Sequence, residues 1–208
     1  MPVMTAAAAD YLWFEERFPD LAEAYCITLV HDLSPADLLD RLGGRQDPAL
    51  TGVTAIVDAA FDVTDRYDFH WHLAAMTQIG SWTLMIEPNG WLGVTEEQAL
   101  PASSGTTWVS HFTNINGLDS FLWAEDATNL LAFEPTFPDD RYGSTPDDVL
   151  DVMHSIGFHF GTEAPETDIS VPAAFALAEE LTGVRLTPEL LEATTYICGI
   201  VRNPVAAL

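Results

Sequence analysis

The sequence predicts an α+β fold: an antiparallel β-meander over about residues 73–134, with strand and helix elements before it and helices after it that pack on the sheet. Three observations predict this. Between residues 73 and 133, apolar runs of strand length follow one another, with turn residues at strand spacing. Three hydroxyl-proline pairs, Ser34-Pro35, Thr145-Pro146 and Thr187-Pro188, lie outside that stretch and read as helix starts. In each, the hydroxyl accepts an otherwise orphaned backbone N–H, and the proline has none to leave unpaired. Finally, strands and helices do not alternate along the chain as a parallel βαβ sheet requires. The 208 residues fit one domain, 1–208.

Taken in order, Thr5 to Arg17 reads as a helix, with Tyr11, Phe14 and Phe18 on one side and Pro19 as the stop. Tyr25 to Val30 is a short strand. The helix opened by Ser34-Pro35 buries Leu38, Leu39 and Leu42 and ends at Gly43. Residues 44–72 are ambiguous, and Val53 to Phe61 fits helix or strand. Trp82 to Glu87 is a strand; Pro88-Asn89-Gly90 then turns the chain, and Trp91 to Val94 is expected to return beside it, because Asn-Gly between apolar runs signals a hairpin. Thr106 to Asn114 is a further strand. Phe121 to Glu125 and Leu130 to Phe133 form a second hairpin. After Thr145-Pro146, the residues Val149, Val152, Met153 and Ile156 give a helix its apolar stripe, with Gly157 as its end. Ser170 to Leu181 is a helix closed by Gly183. Leu190, Thr194, Ile197 and Val201 give a last helix its face.

Acidic residues number 32 against 7 basic ones, for a net charge of −25. All seven are arginine, and none lies between Arg66 and Arg141. Such a surface repels phosphate, so neither nucleic acid nor an anionic membrane surface is an expected partner. It favours solubility and attracts a basic protein partner. No apolar run approaches the roughly 18 residues of a membrane span. The first ten residues lack the basic region of a secretory signal, which together with only two cysteines, Cys26 and Cys198, points to a cytoplasmic protein with reduced thiols.

Candidate chemistry is sparse. Glu87 and Glu134 each end an apolar strand just before a proline, in the matching segments Leu84 to Pro88 and Leu131 to Pro135. If their hairpins are neighbours, the two carboxylates become a catalytic pair of the kind that separates acid from nucleophile in sugar hydrolysis. The competing expectation is that each carboxylate satisfies backbone N–H groups around its own turn. Trp82, Trp91 and Trp123 lie on the meander, either as core or as a binding patch, with Trp108 beside them in sequence. His70 and His72 would share one face of a strand and offer two metal ligands, with His111, Glu87 or Asp68 as a third. Both cysteines sit among apolar residues and are expected to be inert. Phosphate-cradling motifs are absent, no cofactor is called for, and a chain without lysine cannot form a lysine Schiff base.

Several stretches resemble an uncharacterised actinobacterial family, a domain of unknown function. They are Asp10-Tyr11 with Trp13-Phe14, Tyr25-Cys26 with Thr28-Leu29, Leu33-Ser34-Pro35, Trp82 through Gly93, and Val109 to Phe112 with Asn114. Further stretches are Phe121 to Glu125, Phe133-Glu134-Pro135 with Phe137-Pro138, and Leu181 to Leu191. The resemblance implies a one-domain bacterial protein of this length and brings no activity with it. The expectation from the residues is a non-catalytic acidic module that docks a cationic protein, as an accessory or immunity-type protein would. Its docking rim includes Glu125 and Asp126, in the arginine-free stretch with Glu87, Glu96, Glu97 and Asp119. The rivals are a small hydrolase using Glu87 and Glu134 and a metal or small-ligand binder using His70 and His72.

Overall fold

A computed structural model describes residues 6–161 and 167–204. Among these, nine strands form one sheet in the order β2-β9-β3-β4-β1-β5-β6-β7-β8, and every neighbouring pair is antiparallel. The strands are β1 (Tyr25–His31), β2 (Arg45–Thr51), β3 (Trp71–Ile79), β4 (Trp82–Pro88), β5 (Thr107–Thr113), β6 (Asp119–Glu125), β7 (Thr128–Glu134), β8 (Phe137–Tyr142) and β9 (Thr195–Arg202). The helices are α1 (Trp13–Arg17), α2 (Pro19–Ala22), α3 (Pro35–Arg41), α4 (Val53–Tyr67), α5 (Glu96–Ala102), α6 (Leu150–Ile156), α7 (Ser170–Thr182) and α8 (Pro188–Ala193). The α+β class and the antiparallel sheet are as the sequence predicts. The meander is not continuous, however: β1 inserts between β4 and β5, and α5 interrupts residues 73–134.

Helices pack on both faces of the sheet. On the first face, Ile27, Leu29, Ile86, Val109, Phe121 and Phe133 pack under α1, α4, α6 and α7. Helix α7 is buried almost all round, and its Phe175 stacks against Tyr11 and meets Phe14 and His111 with ring centroids 4.5 Å apart in both contacts. On the second face, Val30, Met76, Met85, Trp108 and Leu122 pack under α3 and α5, through Leu38, Leu39, Ala99 and Ala102. A strand covered on both sides carries apolar residues at every position rather than alternating ones. This explains the apolar residues at both odd and even positions of β1 and β4.

Two of the three expected caps form. Ser34 Oγ accepts from the Asp37 N–H at 3.2 Å, and Thr187 Oγ1 accepts from the Leu190 N–H at 3.2 Å. Thr145-Pro146 instead sits in a turn, and α6 starts later, with Val149 as its N-cap. Pro19 does not end helical structure but opens α2, where a proline at the first position is free of a lost hydrogen bond. The helix expected from Thr5 is a 3₁₀ turn over Ala8–Tyr11 followed by α1, and Thr5 lies outside the described residues. The ambiguous region resolves into edge strand β2 and amphipathic α4, which buries Val53, Ile56, Val57, Ala60 and Val63. The expected last helix is wrong beyond Ala193. Thr195–Arg202 is a strand, with Tyr196, Cys198 and Ile200 on the first face and Val201 on the second.

Cys26 and Cys198 are both fully buried and unpaired. Burial pushes the Cys26 thiol well above its ordinary range, and the nearby Glu87 charge adds to this; burial raises Cys198 to about 11. Because the thiolate is the reactive form, a disulfide-exchange reagent should label neither thiol rapidly in the native protein and both on unfolding in urea. A fast native-state thiol would place one of them at an accessible surface.

Candidate functional site

The chain enters and leaves the sheet at one end through the turn after β4 and the β5–β6 turn. Residues facing the second side here form a lateral row: Glu87 pairs with Cys26, Cys26 with Phe112, and Phe112 with Ser120. Glu134 extends the row, one position past the Phe121–Phe133 pair. The two glutamates therefore share a face and a row but not a site. Strands β1, β5 and β6 lie between them, a separation of roughly 19 Å at the usual strand spacing. Carboxyl pairs that cleave glycosides sit within about 10 Å of one another. The expected catalytic pair is not formed.

Glu87 is fully buried, and its role is visible in its hydrogen bonds. Oε2 accepts from the Leu92 N–H at 2.9 Å and Oε1 from the Gly93 N–H at 3.0 Å. The Gly93 carbonyl accepts from Trp108 Nε1 at 2.9 Å and from Ser110 Oγ at 2.5 Å. Residues 91–94 are thus pinned flat over β1 and β5. They form a 3₁₀ turn, Leu92–Val94, and not the returning strand expected from Asn89-Gly90, because the place beside β4 is already taken by β1. Burial raises the Glu87 carboxyl to about 7, against the lowering effect of its two backbone donors. The expectation that the carboxylate serves its own turn holds here. Glu87 is also excluded from any docking rim.

The histidines do not gather. His70 is exposed in the turn before β3, whereas His72 is buried on it with Trp91 packed against its ring at 4.3 Å. His111 faces the opposite side of the sheet, with Nδ1 3.2 Å from the Tyr25 hydroxyl. Burial lowers His72 to about 4 and His111 to about 3, so both rings are neutral at ordinary pH. Among the described residues no group of three or more His, Cys, Asp or Glu is placed to hold a metal ion. The tryptophans are equally dispersed. Trp82 and Trp123 pack at the margin of the first core, Trp91 lies half-buried over His72, and Trp108 is fully buried on the second face.

What remains open is the far end of that row. A groove of about 390 Å³ lies over β6, β7 and β8, lined by Leu118, Asp119, Ser120, Glu134, Asp140 and Tyr142, among others. Leu118 and Tyr142 are 59% and 57% exposed. Asp119 accepts from the Thr136 N–H at 2.9 Å and from its hydroxyl at 2.6 Å. Partial burial still raises its carboxyl above the ordinary range, and the charges of Glu134 and Asp168 push the same way. No basic residue lines the groove. Arg141, between Asp140 and Tyr142 on β8, is held by Asp147 at 2.6 Å. Glu125 and Asp126 are exposed at the other end of β6, roughly 20 Å away. Asp126 there accepts from the Gly105 N–H at 2.8 Å. Sequence reasoning missed Asp140, since the edge strand Phe137–Tyr142 has no alternating apolar pattern.

Among the described residues no helix is long and apolar enough to cross a membrane. No curated protein and no solved structure matches the chain. A family model does match, over residues 4–205 and so nearly the whole length, and the chain therefore belongs to a family of unknown function, DUF6461.

Proposed function

We propose that this chain is a non-catalytic binding module that docks the basic face of a protein partner through the groove over β6, β7 and β8. One observation carries the reading. Glu134 and Asp140 line an open groove with no cation between them, and Leu118 and Tyr142 give the same groove an apolar lip. Uncompensated carboxylates beside exposed apolar side chains suit a partner that brings lysine or arginine together with apolar contact. The net charge of −25 supplies the long-range field that steers such a partner. Glu125 and Asp126 belong to that field rather than to the contact. The same reading places the protein in the cytoplasm, where two buried free thiols stay reduced.

The test begins with proteins captured from the source cell's extract at low salt and eluted by raised salt, each then purified and measured singly. A true partner should associate more slowly as salt rises. Glu134→Gln with Asp140→Asn should weaken its binding by about tenfold, acting on both association and dissociation. Glu125→Gln with Asp126→Asn should slow association by about twofold and leave dissociation alone. If every captured protein binds the Glu134 and Asp140 double variant as well as the parent, the groove is not the docking surface.

A further inference from the structure

A second groove, of about 170 Å³, opens at the same end of the sheet on its other side, between α2, α4 and the turn after β4. Its floor is apolar: Ala24, Val57 and Ala60, with Pro88. Two large apolar side chains stand at its mouth, Phe61 at 54% and Ile115 at 76% exposure. Asp20 and Glu23, both exposed, and Asn89 complete the lining, and no basic residue lines it. Ile115 sits in the β5–β6 turn three residues before Leu118, whose side chain lips the first groove. The two grooves therefore share that turn as a common border.

The geometry points to this groove as the anchor for a single lysine side chain of the basic partner. This rests on the docking reading above and adds the chemistry of a second contact. A lysine stem is four methylenes carrying a compact charge, and such side chains lay the stem on apolar surface while keeping the ammonium in water or on a carboxylate. Here the stem lies on Ala24, Val57 and Ala60 between Phe61 and Ile115, and the ammonium reaches Asp20 and Glu23. An uncharged apolar side chain would leave the two carboxylates unanswered. A short basic side chain would leave the floor and the mouth uncovered.

The experiment uses n-hexylammonium as the probe and n-hexanol as its uncharged counterpart, each titrated into the ¹⁵N-labelled chain at low salt and followed by amide shifts. Hexylammonium should shift Ala24, Ala60 and Ile115 saturably and bind about fivefold more tightly than hexanol. Asp20→Asn with Glu23→Gln should erase that preference, and Ile115→Ser, in an exposed turn, should weaken both probes. Glu134→Gln with Asp140→Asn should leave the titration unchanged, which separates this groove from the first. Equal binding of the two probes, or shifts that never saturate at these three residues, would overturn the lysine anchor. Neither result bears on the Glu134 and Asp140 groove, and saturable hexylammonium binding would stand even if no protein docks there.

Discussion

Replacing Gly93 by alanine lowers the stability of the folded chain by about 3 kcal/mol, enough to bring the melting temperature down by roughly 10 °C for a domain of this size. A Cβ at this position would overlap the Thr28 hydroxyl and lie 2.9 Å from Cys26 Sγ and 3.3 Å from Glu87 Oε1. All three neighbours are fully buried, so none moves into open space. Lifting the 91–94 turn to make room breaks the Gly93 hydrogen bonds to Glu87, Trp108 and Ser110 together. Gly105→Ala is the comparison. Its φ of +70 costs about 1 kcal/mol in an L-residue, and nothing lies within 4 Å of the added methyl. Urea midpoints of the two variants decide the matter. A Gly93→Ala protein as stable as Gly105→Ala would mean that the turn is not clamped to the sheet.

The second large effect is on pH dependence. Burial raises the Glu87 carboxyl from 4.5 to about 7, so the folded chain holds this proton more tightly than the unfolded chain. The stability this group contributes is complete below about pH 4.5 and is lost as pH rises through about 7, a swing of roughly 3 kcal/mol. Glu87→Gln cannot titrate. The stability difference between parent and variant should therefore drift against the parent across that window. His72 and His111 act in the opposite direction, because their lowered values favour the neutral ring in the fold and cost stability as pH falls from 6.5. They are present in both proteins and cancel in the difference. Parallel stability curves between pH 5 and pH 8 would show that Glu87 does not change protonation in this range.

The same residues show which parts of this fold a sequence reader can see. Ser34-Pro35 and Thr187-Pro188 are legible because capping is chemistry within four residues of chain. Thr145-Pro146 carries the same letters, yet the helix starts later, since a tertiary turn takes up its backbone. Leu190, Thr194, Ile197 and Val201 keep helical spacing by accident. Thr195–Arg202 is apolar on one side and partly apolar on the other, so several spacings are populated, and the informative signal is the β-branched density of Thr194, Thr195, Ile197, Ile200 and Val201. Strand β2 is an exposed edge containing Pro48, so it has no apolar pattern to read. At the site, the Glu-Pro ends of β4 and β7 look alike in sequence, yet Glu87 is fully buried and Glu134 is exposed. Their separation depends on β1 crossing back between β4 and β5, a long-range choice that local letters do not carry. Gly90 and Gly93, one close against Glu87 and the other against Cys26 and Thr28, were the available hint that Glu87 is covered.

The insertion of β1 also sets a schedule for the chain during synthesis. Residues 25–31 leave the ribosome before their two neighbours, 82–88 and 107–113, which follow only after some fifty and some eighty more residues, at the modest pace of translation. At the other side of the sheet, 45–51 and 71–79 are joined only through 195–202, which must slide between them. A nascent chain that has reached residue 190 therefore carries an unattached 45–51 segment and an open hydrogen-bonding border along 71–79. The early strand cannot be satisfied by anything local, and closure of the sheet waits for residue 202. Until that strand is made, the growing chain carries a bare strand border that invites pairing with the wrong chain.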